Sequence, residues 1–178
     1  DFDMYMPKDE GGFSKYIISK EIENLDNVTE LRVFGIFGKY EDYAIRFISN
    51  AICKALFGLP ITLRQDRLFD YLYIDDLMPV IDYFLAAAGK YKAYNVTPDS
   101  AVGLLELAGK VRKVAKKDVP ITVGTPGRGL EYSGNNGRLR EEISSLKFTP
   151  IDAAIRRLYD WYLDNKGSID KNKLLVDK

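Results

Sequence analysis

Tyr16-Ile17-Ile18-Ser19-Lys20 lies in a stretch of helical pattern near the start of a 178-residue chain, and its two end residues can do chemistry together. Residues i and i+4 of a helix stand one above the other, which places the Lys20 ammonium close to the Tyr16 ring. A nearby positive charge favours phenolate and draws a pKa that starts near ~10 toward the working range of a general acid/base. The same spacing occurs at Tyr162 and Lys166. Context separates the two pairs. Tyr16 is followed by the apolar run LRVFGIFG (31–38), whereas Tyr162 sits beside Trp161 near a helix end, where Tyr and Lys are ordinary structural choices.

The other chemical groups narrow the field. Histidine is absent, which removes Ser-His and Cys-His mechanisms and most zinc sites. Cys53, in the helical stretch NAICKAL, is expected to pack. Asp75 and Asp76 are adjacent in sequence and so project in different directions. Asp76 is expected to cap the helix that follows, and no metal is expected there. Gly124-x-x-Gly127-x-Gly129 follows a strand like a loose dinucleotide fingerprint, yet the segment after it, LEYSGNN, cannot continue as the amphipathic helix that would hold a pyrophosphate. Residues 125–137 are therefore expected to form a surface loop. Tyrosine, lysine, arginine and carboxylates remain as the chemical actors.

Alternating strand and helix patterns must position these groups, which argues for a layered α/β architecture with parallel strands. The first helix is expected from Ser14, as N-cap, to about Leu25. LRVFGIFG has continuous apolar residues and predicts one strand buried on both faces. A helix is expected over about 42–57, ending at Gly58, then a strand at PITLRQ and another at LFDYLYI (68–74). Asp76 then opens the helix LMPVIDYFLAAA, with Pro79 in its first turn. KAYNVTP predicts a short strand, Ser100 or Asp99 the start of a helix with a basic tail, and VPITVG a further strand. Thr149-Pro150-Ile151-Asp152 resembles a capping box with Pro at N1, leading the last helix. The polar tail from 166 to 178 is expected to be loosely held.

Composition bounds the function. With 46% hydrophobic and 12% aromatic residues the chain can bury one sizeable core, and residues 1–178 are expected to form a single unit. Basic and acidic residues balance at 26 each, so no overall field attracts nucleic acid or a membrane surface, and an anionic ligand must be held by local charges. A single cysteine, no signal-peptide pattern and no apolar run of membrane-spanning length point to a cytoplasmic setting.

In order along the chain, Tyr16-x-x-x-Lys20, LRVFGIFG, RFISNAICKALFGLPITL, FDYLYIDDL and AYNVTP resemble the extended short-chain dehydrogenase/reductase family, in particular its nucleotide-sugar epimerases, dehydratases and reductases. The resemblance covers roughly residues 14–165. It implies the later part of a Rossmann-type parallel sheet with a small C-terminal substrate-binding lobe. The dinucleotide-binding half, with its glycine turn, ribose-reading acid and catalytic Ser/Thr, is expected upstream and is absent from this chain. It implies NAD or NADP as cofactor, a nucleotide diphosphate-sugar as substrate and a homo-oligomer, commonly a dimer. Tyr16 would exchange a proton with the sugar while hydride passes to or from the nicotinamide. Lys20, with Tyr16 beside it, would hold the nicotinamide ribose.

Two departures from the family pattern stand out. Gly35 occupies a substrate-contact position where the family often has Asn, so one contact is missing. Phe69-Asp70-Tyr71 stands where Arg-Asp-Phe is common, with Arg64 and Arg67 nearby. Either arginine could supply the diphosphate-binding charge, or could be a solvated strand-end residue. The alternative function is a noncatalytic relative of the same fold that binds a nucleotide or a protein partner.

Overall fold

The computed structural model describes residues 6–175. Its strands pair across long stretches of sequence: β1 (Glu30–Val33) with β6 (Ala93–Val96), β2 (Gly35–Phe37) with β5 (Tyr71–Tyr73) and β3 (Ile61–Asp66) with β8 (Ile121–Arg128), all parallel. A short antiparallel pair joins β4 (Leu68–Phe69) to β7 (Val102–Gly103). Parallel partners need crossover connections, and helices supply them, as expected for an α/β layer fold.

LRVFGIFG does not form one doubly buried strand. The run divides at Phe34, whose amide donates to the Val96 carbonyl at 3.2 Å. Its first part pairs with β6 and its second with β5. Within the two strands only Phe37 is buried. LFDYLYI likewise divides into β4 and β5 at Asp70, because the two parts pair with different strands.

Helix α1 (Glu10–Ile22) starts earlier than predicted: Asp9 is the N-cap and accepts from the Gly12 amide at 2.8 Å, while the Ser14 hydroxyl donates to the Glu10 carbonyl. α2 (Phe47–Leu56) starts later than Asp42, which instead closes a turn by accepting from the Ala44 amide at 2.9 Å. α4 (Leu104–Ala115) also starts late, because Val102 and Gly103 are used in β7 and Asp99 is held by Arg140 and Asn136.

Asp76 and Thr149 were each expected to cap their own helices, and they bind each other. Asp76 lies inside the first turn of α3 (Ile74–Ala86) and accepts from the Thr149 amide at 2.8 Å and hydroxyl at 2.7 Å, tying the start of α6 (Ile151–Asp164) to α3. Pro150 takes the N-cap position of α6. Pro79 is inside α3, past the first turn, because the helix begins directly at the end of β5.

Helices α2, α4 and α6 pack together around the main core, which includes Ile52, Leu107, Val111, Ile155 and Leu158. A smaller core gathers Leu72, Val80, Tyr94, Val96, Leu139 and Leu146 with α5 (Gly137–Glu142) beside β6. The tail departs from its expected looseness as far as residue 175. It forms 3-10 turns at Lys166–Ser168 and Lys171–Leu174, and it buries Ile169 and Leu174 in the main core. Residues 176–178 lie outside the described residues. Strand β8 extends to Arg128, so Thr125 and Arg128 pair with β3 across a bulge where a loop was expected. No helix among the described residues is long and apolar enough to cross a membrane.

Candidate functional site

Tyr16 and Lys20 meet as the helical spacing requires. The Lys20 ammonium stands 6.0 Å from the centre of the Tyr16 ring and 3.3 Å from the Glu23 carboxylate one turn on. Between them in sequence, Ser19 is buried, donates to Glu30 at 2.9 Å and accepts from Arg32 at 3.1 Å, and Arg32 also pairs with Glu30 at 2.7 Å. This triad fixes α1 against β1 with Tyr16 and Lys20 half-buried beside it. The pair Tyr162 and Lys166 does not form in the same way. Tyr162 is buried against Tyr43 and Trp161, and Lys166 lies over the Phe57 ring.

A cleft of about 780 Å³ opens beside α1, where Lys15 forms part of its wall. Its aromatic side is a chain of rings: Phe34 to Tyr132 at 5.4 Å, Tyr132 stacked on Phe69 at 4.7 Å, Phe69 stacked on Tyr71 at 5.0 Å, and Tyr71 edge-on to Phe37 at 6.0 Å. The segment from Gly38 to Ile48 also lines it and brings Lys39, Glu41, Asp42 and Arg46. Gly35 lines this cleft, and its lack of a side chain has a packing cause: a Cβ there would fall 2.4 Å from the Asp70 carbonyl oxygen and 2.8 Å from the Phe69 ring. Tyr16 and Lys20 are not among the lining residues.

Arg64 and Arg67 line a second, smaller cleft of about 240 Å³ with Asn50, Lys54, Thr62 and Gln65. Ile45, Phe47 and Phe69 belong to the walls of both clefts, so the arginines flank the larger one across a shared apolar ridge. Lys54 is almost fully buried and donates to the Thr62 hydroxyl at 2.6 Å, adding positive charge at the base of the small cleft. Arg138, a further candidate for an anion, lies over the Tyr91 ring instead.

Glu41 was not apparent from sequence. It accepts a short hydrogen bond from the buried Ser49 hydroxyl of α2. Burial pushes its carboxyl up to about 7, against the opposing pull of Ser49, the Gly38 backbone and the Arg46 charge. The same environment raises its neighbours. Burial and then the Glu41 charge push the Cys53 thiol up to about 12 and the Tyr71 phenol above its ordinary value. Among the described residues, the buried Tyr162 hydroxyl has no hydrogen-bond partner. Only the position of Glu41 after the turn that follows LRVFGIFG could have drawn attention to it.

The glycines at 124, 127 and 129 do not form a phosphate cradle. The first two lie within β8, and the chain beyond Gly129 returns to a bridge between Tyr132 and Phe69 without entering a helix. Among the described residues, the strands that run directly into helices, β5 into α3 and β7 into α4, do so without an intervening glycine-rich turn. The described residues thus offer no seat for a dinucleotide's pyrophosphate.

The Glu41 environment has a measurable consequence. A folded-state value near 7 against an unfolded value near 4.5 costs nothing below about pH 4.5, where both states are protonated. Stability attributable to this group then falls as pH rises toward 7, because the unfolded chain releases the proton first, and is level above that. Glu41→Gln lacks this penalty. Its stability relative to the parent should rise by on the order of 2–3 kcal/mol between about pH 4.5 and pH 8, read from urea unfolding at each pH. A constant difference across that range would mean Glu41 titrates as in water.

Residues 13–97 match the sequence profile of the NAD dependent epimerase/dehydratase family. No curated protein matches the chain in sequence. Among solved structures, the chain is similar in fold to UDP-glucuronic acid 4-epimerase from Bacillus cereus in complex with UDP-glucuronic acid and NAD (TM-score 0.71, 15% identity, 86% of this chain and 51% of that one). It is likewise similar to dTDP-glucose 4,6-dehydratase from Bacillus anthracis in complex with NAD (0.75, 19%, 90% and 54%), and to a GDP-L-fucose synthetase from Naegleria fowleri bound to NADP (0.73, 11%, 91% and 58%). The chain spans a little over half the length of these structures. Sequence over residues 13–97 and fold over 86–91% of the chain thus agree on one resemblance, to the NAD-dependent epimerases and dehydratases of the extended short-chain dehydrogenase/reductase family.

Proposed function

We propose that this chain is the catalytic-helix and substrate-binding portion of an NAD(P)-dependent enzyme that acts on a nucleotide diphosphate-sugar, as an epimerase, dehydratase or reductase. The observation that carries the reading is the Tyr16–Lys20 pair, held against β1 by the Ser19–Glu30–Arg32 triad within the segment that matches the family. Tyr16 would take a proton from, or return it to, a sugar oxygen. Lys20, with Tyr16 beside it, would hold the nicotinamide ribose. Bound NAD(P) would supply the hydride acceptor or donor. Arg64 and Arg67, at the small cleft, would meet the diphosphate charge, with the buried Lys54 behind them.

In the complete enzyme, Tyr16→Phe should lower turnover by roughly 10²- to 10⁴-fold with little change in cofactor affinity, since it deletes only the proton relay. Steady-state kinetics with unchanged turnover would remove Tyr16 from the mechanism.

Arg64→Ala or Arg67→Ala should weaken binding of the nucleotide-sugar by on the order of 1.5–3 kcal/mol and leave NAD(P) and free sugar unaffected. If both single variants and the double variant bind like the parent, the diphosphate lies elsewhere.

The 178-residue chain by itself should not bind NAD(H) appreciably, because its described residues lack the glycine turn at a helix N-terminus that pyrophosphate needs. Tight, stoichiometric binding in a calorimetric titration would refute this.

Helix α1 buries only Ser19 and exposes Phe13, Ile17 and Ile18. We propose that these apolar residues are covered by a second copy of the chain. Light scattering should find a dimer or larger species, and a monomer across a wide concentration range would count against it.

A further inference from the structure

The large cleft pairs a carboxylate with an aromatic wall, a combination suited to a particular kind of ligand. Glu41 reaches the cleft from the segment after Gly38, with its position fixed by the fully buried Ser49, which hydrogen-bonds to one of its oxygens. Phe69, Tyr71 and Phe37 stand in the same cleft, and Tyr71 is near enough to feel the Glu41 charge. An aromatic face takes up the C–H face of a hydroxylated ring, and a fixed carboxylate accepts from its hydroxyls through hydrogen bonds stronger than those between neutral groups. We propose that Glu41 is a specificity-determining residue of this cleft, accepting hydrogen bonds from the hydroxyls of a neutral sugar laid against the half-buried Phe69 and Tyr71 rings, behind which Phe37 is buried. A sugar that brings its own carboxylate to Glu41 would meet like charge at that residue and be disfavoured there, the cleft's cations Lys15, Lys39 and Arg46 being spread over the rest of its wall.

This inference rests on the nucleotide-sugar reading above and names the residue that selects the sugar. It also gives binding a pH dependence, because the acceptor is the ionised form. The groups that face Glu41 are Arg46 from its own segment, Ser49 and Cys53 from α2, Tyr71 from β5 and Tyr162 from α6. Burial raises both Tyr71 and Tyr162 well above neutrality and raises Cys53 to about 12, which leaves Glu41 as the member of this set that changes charge near pH 7. Affinity for a neutral sugar nucleotide should therefore increase as pH rises through 7.

The test is an NMR titration of the 178-residue chain with UDP-glucose, UDP-glucuronic acid and UDP, and with dTDP-glucose and dTDP, repeated for Glu41→Gln. The parent chain should bind the glucose nucleotides more tightly than the matching sugar-free nucleotides and than UDP-glucuronic acid. Glu41→Gln should weaken the glucose nucleotides by roughly 10-fold or more, the range of a charged hydrogen bond, narrow the gap to UDP-glucuronic acid, leave UDP and dTDP unchanged, and abolish the rise with pH. Glu41→Asp, which withdraws the carboxylate by one methylene, should show the same loss and guards against misfolding of the first variant. Equal sugar preference in parent and variants would overturn the role of Glu41 while leaving the substrate class intact. Binding of none of the five nucleotides by the parent would overturn the nucleotide-sugar reading of the cleft, and this inference with it.

Discussion

The cleft depends on one buried carboxylate. Asp70 is 1% exposed and accepts from the Thr97 hydroxyl at 2.5 Å and the Gly134 amide at 2.7 Å. Those bonds join the β4–β5 junction, the end of β6 and the loop after β8, three segments that no single strand pair would hold in common. A carboxylate out of water is costly unless its oxygens are matched, so the arrangement is close to all-or-none. Removing either donor would loosen the loop that lays Tyr132 on Phe69, and with it the aromatic wall of the cleft.

The same junction explains the departure at position 35. The Asp70 carbonyl oxygen lies where any Cβ on residue 35 would have to be, so no side chain can reach the cleft from there without moving the strand that carries Asp70. The carboxylate across the cleft, Glu41, is placed instead by α2 through Ser49, an element on the other side of the cavity. The cleft's buried carboxylate is thus positioned from the helix layer, whereas packing closes off the strand position at Gly35.

What the sequence made legible follows the range of each interaction. The i,i+4 meeting of Tyr16 with Lys20 is a local consequence of helix geometry, and it needs nothing from the rest of the chain. The positions of the strands and helices, and the parallel α/β class, were likewise carried by local pattern. Helix starts were not, because the capping groups were claimed by distant partners: Asp76 and Thr149 by each other, Asp99 by Arg140. LRVFGIFG looked like one strand because its apolar residues are continuous, but a change of pairing partner at Phe34 leaves no mark on apolar content. In the tail, Ile169 and Leu174 are isolated apolar residues among polar ones, and only the main core they complete explains their burial. Glu41 was missed for the same reason. A single glutamate after a turn is unremarkable until α2 is seen to bury it.

A chain with equal numbers of positive and negative residues can still build a site for an anion, provided its charges are sorted by position. Here the sorting comes from packing. Arg32 is held by Glu30 within β1, and Arg140 by Asp99 and Lys110 by Asp152 across elements that the fold must join. Arg64, Arg67 and Lys54 instead gather on one small cleft, where Thr62 and Asn50 contribute polar groups without added negative charge. Field strength in such a recess depends on the charges within a few ångströms and on the low-dielectric walls, and little on the chain total. The neighbouring cleft, which shares Ile45, Phe47 and Phe69 with it, is mixed in charge, with Glu41 and Asp42 beside Lys15, Lys39 and Arg46.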